Sequence, residues 1–178
     1  YCYRHSRRDW KVSAYDKDYG VNYDGDSRKP EYLIDGEKKT NWSSGKINDK
    51  PLELPYYIIF DLNKVSDIDG VYLANGYSNQ CLADVHVEYI GSEVADPYDI
   101  NAPWETLLQV TDPNVVRANL KNERFFDCPR TQARYLRLKI SNPNTIVFKS
   151  DSDLTEEEKA NQKKYHSFAE FGTYYKKP

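Results

Sequence analysis

Short segments in which apolar and polar residues alternate recur along most of the 178-residue chain. Alternation with a period of two is typical of β-strands that bury one face, and Gly, Pro, Asn and Asp between such segments are typical of turns. The pattern predicts strands at 10–14, 56–61, 71–73, 84–89, 104–108, 124–126, 134–140 and 168–175. Many short strands separated by turn residues predict an all-β fold, either a sandwich or a barrel.

One segment near the end of the chain has a helical pattern instead. Thr155 and Glu158 have the spacing of a capping box, in which each side chain accepts a hydrogen bond from the other residue's backbone. Acidic residues follow Thr155, whereas Lys163 and Lys164 come last, and this order suits the helix dipole. We predict one short helix from Thr155 to about Tyr165, inside an insertion (142–166) between two strands.

The composition fits a single globular domain, since 39% of the residues are hydrophobic and 30% are charged. Residues 1–9 are polar and partly basic, so we expect a solvated N-terminal arm followed by one domain over 10–178. No apolar run approaches the roughly 20 residues that a membrane-spanning helix needs. The sequence therefore predicts no membrane insertion.

The formal net charge is −3, and acidic and basic residues are interspersed. A protein that binds nucleic acid needs a concentrated basic face, because each phosphate contact neutralises a charge. The basic cluster of the chain, between Arg4 and Arg8, lies within the predicted arm. We therefore expect no nucleic-acid partner.

The three cysteines, Cys2, Cys81 and Cys128, lie far apart in the sequence and form no Cys-x-x-Cys pair. That spacing argues against a zinc site. One disulfide with a spare thiol and three reduced thiols are both consistent with the sequence.

Aromatic residues are abundant, with sixteen tyrosines and three tryptophans. Both residue types favour strands. Each ring also offers an apolar face and a polar tip, which suits a binding surface. A few such rings at loop tips are enough to form a ligand site.

Sequence signatures of catalysis are absent. The chain has no Gly-x-Ser-x-Gly motif, no His-Glu-x-x-His motif and no phosphate-binding glycine loop. Acidic residues are numerous, but nothing in the sequence singles out a carboxylate pair of the kind that a glycosidase uses. The sequence therefore predicts a binding protein rather than an enzyme.

The segment 33–44 contains a turn that gathers oxygen atoms. Asp35 and Gly36 form the turn, and Thr40 and Trp42 begin the return to the sheet. The Asp35 carboxylate, nearby backbone carbonyls and the Thr40 hydroxyl are the ligands that Ca²⁺ prefers, provided that another acidic group comes from elsewhere. An ordinary turn has the same composition.

Four pieces of the sequence, taken in order, resemble a known family. They are Asp35-Gly-Glu-Lys-Lys-Thr-Asn-Trp42, similar to the family's Asp-Gly-x-x-x-Thr-x-Trp; Tyr57-Ile-Ile-Phe-Asp-Leu62 with Ile68-Asp-Gly-Val71; Ala133-Arg-Tyr-Leu-Arg-Leu138; and Ser167-Phe-Ala-Glu-Phe171. Together they span most of the chain. On these pieces the chain resembles the discoidin family, also called coagulation-factor C-type domains, and within it the family 32 carbohydrate-binding modules.

The resemblance implies an antiparallel jelly-roll β-sandwich of the galactose-binding-domain type, with a structural Ca²⁺ ion that ties the early turn to the last strand. Its ligands would be the carboxylates of Asp35 and Glu170, the hydroxyl of Thr40, and the backbone carbonyls of Tyr32, Glu37 and Ala169. The family usually has Asp or Asn at position 37, but a carbonyl ligand tolerates Glu.

The resemblance also implies a sugar site in the loops at one end of the sandwich, built from an aromatic platform and polar donors. The galactose-binding members often have His where Ser43 stands, and Arg in the loop that here begins at Ala74. Other side chains in similar loops become the candidates: Tyr19, Tyr23, Lys46, Asn48, Asn75, Tyr77 and Asn79. Tyr77, between Asn75 and Asn79, places a ring and two amides in one short loop.

The resulting hypothesis is a non-catalytic carbohydrate-binding module of a secreted or cell-surface bacterial protein. Its partners would be a glycan or polysaccharide and the other domains of a larger parent protein, in an extracellular, periplasmic or outer-surface location. The alternative is a protein-interaction or adhesion module on the same fold. Phospholipid binding is less favoured, because the candidate loops carry Tyr and Asn rather than apolar tips ringed by Lys and Arg.

Overall fold

The computed structural model describes residues 1–75, 84–111, 123–144 and 153–177, and β-strands dominate them. The strands are β1 (Cys2–Arg4), β2 (Lys11–Tyr15), β3 (Trp42–Ser43), β4 (Lys46–Ile47), β5 (Lys50–Pro51), β6 (Tyr56–Asn75), β7 (Val85–Ile90), β8 (Glu105–Val110), β9 (Glu123–Ile140) and β10 (Ser167–Lys176). The helical elements are two 3₁₀ turns, Asp26–Arg28 and Pro30–Ile34, and the helix α1, Glu156–Gln162. Among these residues, no helix has the length and hydrophobicity that crossing a membrane requires.

Two long strands, β6 and β9, run through both layers of the structure. The first half of β6, 56–61, pairs with β2 and with the second half of β9. The second half of β6, 70–75, pairs with β10 and with the first half of β9. The register shifts between Asp61 and Ser66 and between Ile68 and Gly70, as at β-bulges, which bend strands. The sheet therefore folds over on itself.

One layer has the strand order β2-β6-β9-β7-β8 and the other has the order β1-β10-β6-β9, with antiparallel pairing throughout the described strands. β3 pairs with the start of β10, and β4 and β5 form a separate hairpin. This architecture confirms the predicted antiparallel sandwich with one short helix. The segments 56–61 and 71–73, predicted as separate strands, belong to one bent strand, whose pairing with β9 stops at Asp61 and resumes at Ser66.

The core lies between the two layers and is rich in aromatic rings. Phe60 of the first layer stacks on Phe171 of the second, with ring centroids 4.3 Å apart, and Trp10 meets Phe60 edge-on at 6.0 Å. Trp42 is fully buried and meets Phe168 edge-on at 5.6 Å. Alternate residues in the two halves of β6 belong to this core, which accounts for the alternation seen in the sequence: Tyr56, Ile58, Phe60 and Leu62 before the bend, and Val71 and Leu73 after it.

The first residues lie on the sheet rather than free in solvent, which corrects the expectation of a solvated arm. β1 pairs with β10, from Cys2 opposite Lys176 to Arg4 opposite Tyr174. The Arg4 guanidinium lies 4.5 Å from the centroid of the Tyr72 ring. Side-chain patterning could not reveal this strand, because its three side chains are exposed and backbone pairing holds it.

The helix α1 begins with the predicted capping box. Thr155 Oγ1 accepts a hydrogen bond from the Glu158 backbone N–H at 3.1 Å, and Glu158 Oε1 accepts one from the Thr155 N–H at 3.2 Å. The residues after α1 pack on the β4–β5 hairpin region: Lys164 pairs with Glu53 at 2.8 Å, and the Tyr165 hydroxyl donates to the Asp49 carbonyl at 3.3 Å. The insertion is therefore anchored to this hairpin region.

Two of the three cysteines lie within the described residues, and both are free thiols. Cys2 is exposed and Cys128 is half-buried. Burial raises the pKa of the Cys128 thiol to about 11, so this thiol is protonated at neutral pH. Cys81 lies outside the described residues.

Candidate functional site

Buried polar side chains gather at the end of the sandwich where β6 finishes and β10 begins. Phe168 at the start of β10 pairs with Asn75 on one side and with Trp42 on the other, while Ser167 pairs with Ser43. The polar residues of this end that are less than a tenth exposed are Asn22, Asn41, Ser43, Ser44, Asn75, Asp84, Asn144, His166 and Ser167. Hydrogen bonds hold part of this set, such as those from Ser167 Oγ to the Trp42 carbonyl and from Asn142 Nδ2 to Asp84, whereas Asn22 Nδ2 and Ser43 Oγ are buried without a partner among the described residues.

Asn22 fixes two loops of this end against each other. Its side-chain Oδ1 accepts a hydrogen bond from the Gly45 N–H at 2.5 Å, and its backbone carbonyl accepts one from Trp42 Nε1 at 3.0 Å. A Cβ atom at Gly45 would lie 3.3 Å from the backbone N and O of Tyr23, a tight contact that glycine avoids. The Tyr23 backbone therefore lies against Gly45, the residue before Lys46.

Lys46 and Asn48 stand on the β4–β5 hairpin, which projects from this end. The two turn residues, Asn48 and Asp49, have φ values of 51° and 60°. Asn and Asp tolerate this left-handed region, which two-residue hairpin turns of type I′ require. Lys46 is exposed, and no carboxylate lies within ion-pair distance of it in the part of the chain that the structure describes. Its charge is therefore available to a ligand.

Three of the predicted ligand-binding residues lie at this end: Lys46 and Asn48 are exposed on the hairpin, whereas Tyr23 is half-buried and packs against the hydrophobic core. Asn75 lies at the same end but is fully buried, so it supports the site from beneath. Tyr77 and Asn79 lie outside the described residues.

Tyr19 belongs elsewhere, on the outer face of the first layer. Its ring stacks on Tyr15 at 5.4 Å, and its hydroxyl accepts a hydrogen bond from Arg137 at 2.6 Å. The Arg137 guanidinium lies between the rings of Tyr57 and Trp104, 4.7 Å from each centroid. Arg137 is 8% exposed, so this cluster is a small second core rather than an open ligand site.

His166 fastens the insertion to the same end of the sandwich. It is fully buried, with Nδ1 3.0 Å from the Lys164 carbonyl oxygen and Nε2 3.1 Å from the Asn142 carbonyl oxygen. Its backbone N–H donates to Ser44 Oγ at 3.0 Å. Burial lowers the pKa of His166 to about 4, although the two carbonyl contacts act in the opposite direction. The ring is neutral at neutral pH.

The predicted cation ligands of the early turn do cluster. Asp35 Oδ1 accepts from the Glu37 N–H at 2.8 Å, and Asp35 Oδ2 accepts from the Thr40 hydroxyl at 2.5 Å. Thr40 Oγ1 also lies 3.2 Å from the Glu37 carbonyl oxygen. Gly36 has φ of 77°, which glycine adopts without strain and which allows the tight turn.

Glu170 of β10 faces this turn. It is 2% exposed, and its Oε2 accepts a hydrogen bond from Arg7 Nη1 at 2.5 Å. Within the described residues, its Oε1 is buried without a hydrogen-bond partner. Burial, together with the nearby Asp35 carboxylate, raises the pKa of Glu170 to about 7, although Arg7 acts to lower it.

This donor set fits a hard cation. A buried carboxylate oxygen without a partner, a second carboxylate and neutral oxygen atoms from Thr40 and the backbone are what Ca²⁺ prefers. The described residues contain no group of three or more His, Cys, Asp or Glu side chains suited to a metal ion. Any cation here would therefore depend on carbonyl and hydroxyl oxygens, as predicted for Tyr32, Glu37, Thr40 and Ala169.

Sequence reasoning missed Arg7 and His166 as residues that organise these sites. Both act through contacts with residues distant in the chain, and neither has a local motif. The sequence offered one indication for His166, which directly precedes the predicted last strand.

Comparison with solved structures shows the same fold in carbohydrate-binding modules. A family 32 module from Clostridium perfringens, in complex with GalNAc-β-1,3-galactose, is 15% identical with a TM-score of 0.65, covering 96% of this chain and 99% of its own. The C-terminal domain of a Bacteroides fragilis chitobiase is 22% identical with a TM-score of 0.64, covering 96% of both chains.

The family 32 module of Clostridium perfringens NanJ, in complex with galactose, is 15% identical with a TM-score of 0.65, covering 98% of this chain and 100% of its own. No curated protein sequence matches the chain significantly. The family model described as the F5/8 type C domain matches residues 11–150. The chain therefore belongs to the F5/8 type C, or discoidin, domain family.

Proposed function

We propose that this chain is a non-catalytic carbohydrate-binding module that binds a glycan at the loop end defined by Tyr23, Lys46 and Asn48. The observation that carries the proposal is the surface beside the buried polar residues of this end, where Lys46 and Asn48 are exposed on one hairpin and the half-buried Tyr23 lies against Gly45, the residue before Lys46. Sugar recognition uses this combination, because a ring stacks on the C–H face of a sugar while polar groups bind its hydroxyls. Two of the solved structures named above, both from Clostridium perfringens, hold a sugar on the same fold.

The sugar differs from those that the galactose-binding members recognise. Ser43 stands where those members often have His, and it is 6% exposed. A buried serine cannot make the contacts of an exposed imidazole. Lys46, with its available positive charge, instead favours a glycan that carries acidic or hydroxyl-rich units.

We propose in addition that Ca²⁺ binds between the turn and the last strand, held by Asp35, Glu170, Thr40 and the carbonyls of Tyr32, Glu37 and Ala169. The ion would neutralise the two carboxylates and cross-link the beginning and the end of the domain. Glu170 Oε1, buried without a partner among the described residues, supports this placement.

A module of this kind acts as an accessory of a larger extracellular, periplasmic or surface-attached bacterial protein. A single shallow sugar site exchanges hydrogen bonds with water for hydrogen bonds with protein, so its net affinity is low. Several modules or domains of one parent protein would raise the effective affinity by binding together.

A glycan and polysaccharide array, probed with calcium-loaded protein, tests the proposal. We expect binding to a restricted set of glycans, and Tyr23→Ala is expected to weaken it about tenfold, since loss of one stacking ring costs on the order of 1 kcal/mol. Tyr77→Ala and Asn79→Ala extend the test to the segment that follows Asn75 in the sequence.

Tyr3→Ala is the matched control for Tyr23→Ala, because Tyr3 is 40% exposed and lies on β1, away from the loop end. Equal loss of binding in both variants would contradict the placement of the site.

A protein-interaction module is the second candidate, and one observation favours it. Val21 and Ile47 are 68% and 63% exposed and flank Tyr23 and Lys46. Exposed apolar side chains around a ring are typical of protein contacts as well as sugar contacts. A silent glycan array with folded protein would favour this candidate.

A further inference from the structure

Arg7 connects three parts of the fold through a single guanidinium nitrogen. Its Nη1 lies 3.1 Å from the Leu33 carbonyl oxygen, 2.5 Å from Glu170 Oε2 and 2.9 Å from the Phe171 carbonyl oxygen. The Arg7 side chain is 15% exposed and that of Glu170 is 3% exposed. Arg7 therefore carries a largely buried positive charge between the early 3₁₀ turn and the last strand.

The position of Arg7 duplicates the mechanical role proposed above for Ca²⁺. Leu33 lies in the 3₁₀ turn Pro30–Ile34, directly before Asp35, and Phe171 follows Glu170 in β10. A cation bound to Asp35 and Glu170 would tie the same two elements together. The guanidinium already does so, and it uses one oxygen of Glu170 while the other faces Asp35 without a partner within the described residues.

We propose that Arg7 is a resident cation of this site, which holds the turn to the last strand without a divalent ion. It also lowers the affinity of the site for a divalent cation, because two positive charges then share one buried carboxylate. The first statement rests on the observed contacts alone, and the second rests on the cation site of the proposed function. The N-terminal segment that contains Arg7 thereby sets how strongly the stability of the fold depends on calcium.

Removing the charge of Arg7 is expected to lower the stability of the calcium-free protein and to raise its affinity for calcium. Without calcium, Arg7→Gln removes the ion pair, so the buried Glu170 either stays ionised without a partner or takes up a proton, and both states lack the contacts that Arg7 supplies. With calcium, the same variant offers both Glu170 oxygens to the ion and removes the repulsion between like charges. Arg7→Gln is thus expected to be less stable in a chelator and to bind calcium more tightly.

Thermal unfolding in EDTA and in millimolar CaCl₂, with calcium titration calorimetry, measures both effects. We expect the melting temperature of the wild-type protein to change by about 2 °C or less between the two conditions. Arg7→Gln should melt roughly 5–10 °C lower in EDTA and recover most of this loss in calcium. Its calcium affinity should exceed that of the wild-type protein about tenfold or more.

Arg4→Gln is the matched control, because Arg4 belongs to the same N-terminal segment and pairs with Glu123 outside the site. Arg4→Gln should show no calcium-dependent recovery of its melting temperature.

If Arg7→Gln folds in calcium but not in EDTA, the proposal is supported. If Arg7→Gln folds in neither calcium nor EDTA, the same measurements are made on Arg7→Lys instead. Lysine keeps the charge but cannot reach all three oxygens, so a partial loss in EDTA that calcium restores is expected.

Three results would overturn the proposal. The first is a drop of about 10 °C or more in the wild-type melting temperature on adding EDTA, since the divalent ion and not Arg7 would then hold the turn. The second is identical behaviour of Arg7→Gln and the wild-type protein. The third is no calcium binding by any variant, which removes the shared-site statement together with the calcium proposal. The glycan-binding proposal is tested separately by the glycan array and does not depend on these results.

Discussion

Gly70→Ala is expected to lower the free energy of unfolding by about 3 kcal/mol, because the second layer has no room for a methyl group at this position. A Cβ atom at Gly70 would overlap the Tyr174 ring and would lie 2.6 Å from the Phe126 carbonyl oxygen. The Tyr174 ring is 1% exposed, and its hydroxyl donates to Asp127, so it cannot swing away without losing this bond. Urea unfolding followed by tryptophan fluorescence measures the loss.

Gly172 supplies a matched comparison. Gly172 of β10 pairs with Tyr72 of β6, whereas Gly70 of β6 pairs with Tyr174 of β10. The three atoms nearest to a Cβ atom at Gly172 would all belong to the Tyr72 side chain, the farthest of them being Cε1 at 2.7 Å. In a double-mutant cycle, Tyr72→Ala should relieve much of the cost of Gly172→Ala, with a coupling of at least about 1 kcal/mol. Tyr174→Ala should relieve less of the cost of Gly70→Ala, because the Phe126 carbonyl remains. Equal relief in both cycles would contradict this account.

Acidification is expected to remove about 3 kcal/mol of stability through His166 alone. The imidazole has a pKa of about 6.5 in an unfolded chain, and burial lowers the pKa to about 4 in the folded protein. Below pH 6.5 the unfolded chain binds a proton that the folded protein excludes. The contribution of His166 is therefore fully present above pH 6.5 and is lost as the pH falls towards 4.

His166→Gln isolates this effect from the carboxylates that titrate in the same range. The difference in unfolding free energy between the wild-type protein and this variant should shrink by about 2–3 kcal/mol between pH 7.5 and pH 4.5. His86→Gln is the control, because His86 lies at the surface of the sheet with Thr106 as its neighbour. An unchanged difference for His166→Gln would show that the buried ring is protonated in the folded state.

Alternation along the chain was sufficient to predict the strands, because half-buried strands place every second side chain in the core. It could not predict that β6 and β9 continue through their bends, since backbone pairing and not side-chain character maintains a strand there. The short β1 escaped notice for the same reason. Local patterns succeed where the physics is local, as in the capping box of α1.

The two candidate sites also combine residues that local sequence patterns predict with residues that only long-range contacts bring in. The turn from Asp35 to Thr40 could be predicted because its donors lie within six residues of one another. Glu170 came only from the family resemblance, and Arg7 from neither, because its contacts are 26 to 164 residues away in sequence. Likewise, the loop of Tyr23 lies against the start of the β4–β5 hairpin because the Asn22 side chain accepts a hydrogen bond from Gly45, a contact that composition does not reveal.

Two-dimensional NMR of the labelled protein, titrated with the best glycan from the array, tests the central claim most directly. The account predicts concentration-dependent shifts centred on the backbone amides of Tyr23, Lys46, Asn48 and Asn75. Amides where β6 bends, such as Asn63 and Lys64 beside His5, should stay unchanged. Shifts centred on that bend, or none anywhere at saturating glycan, would contradict a glycan site at the loop end.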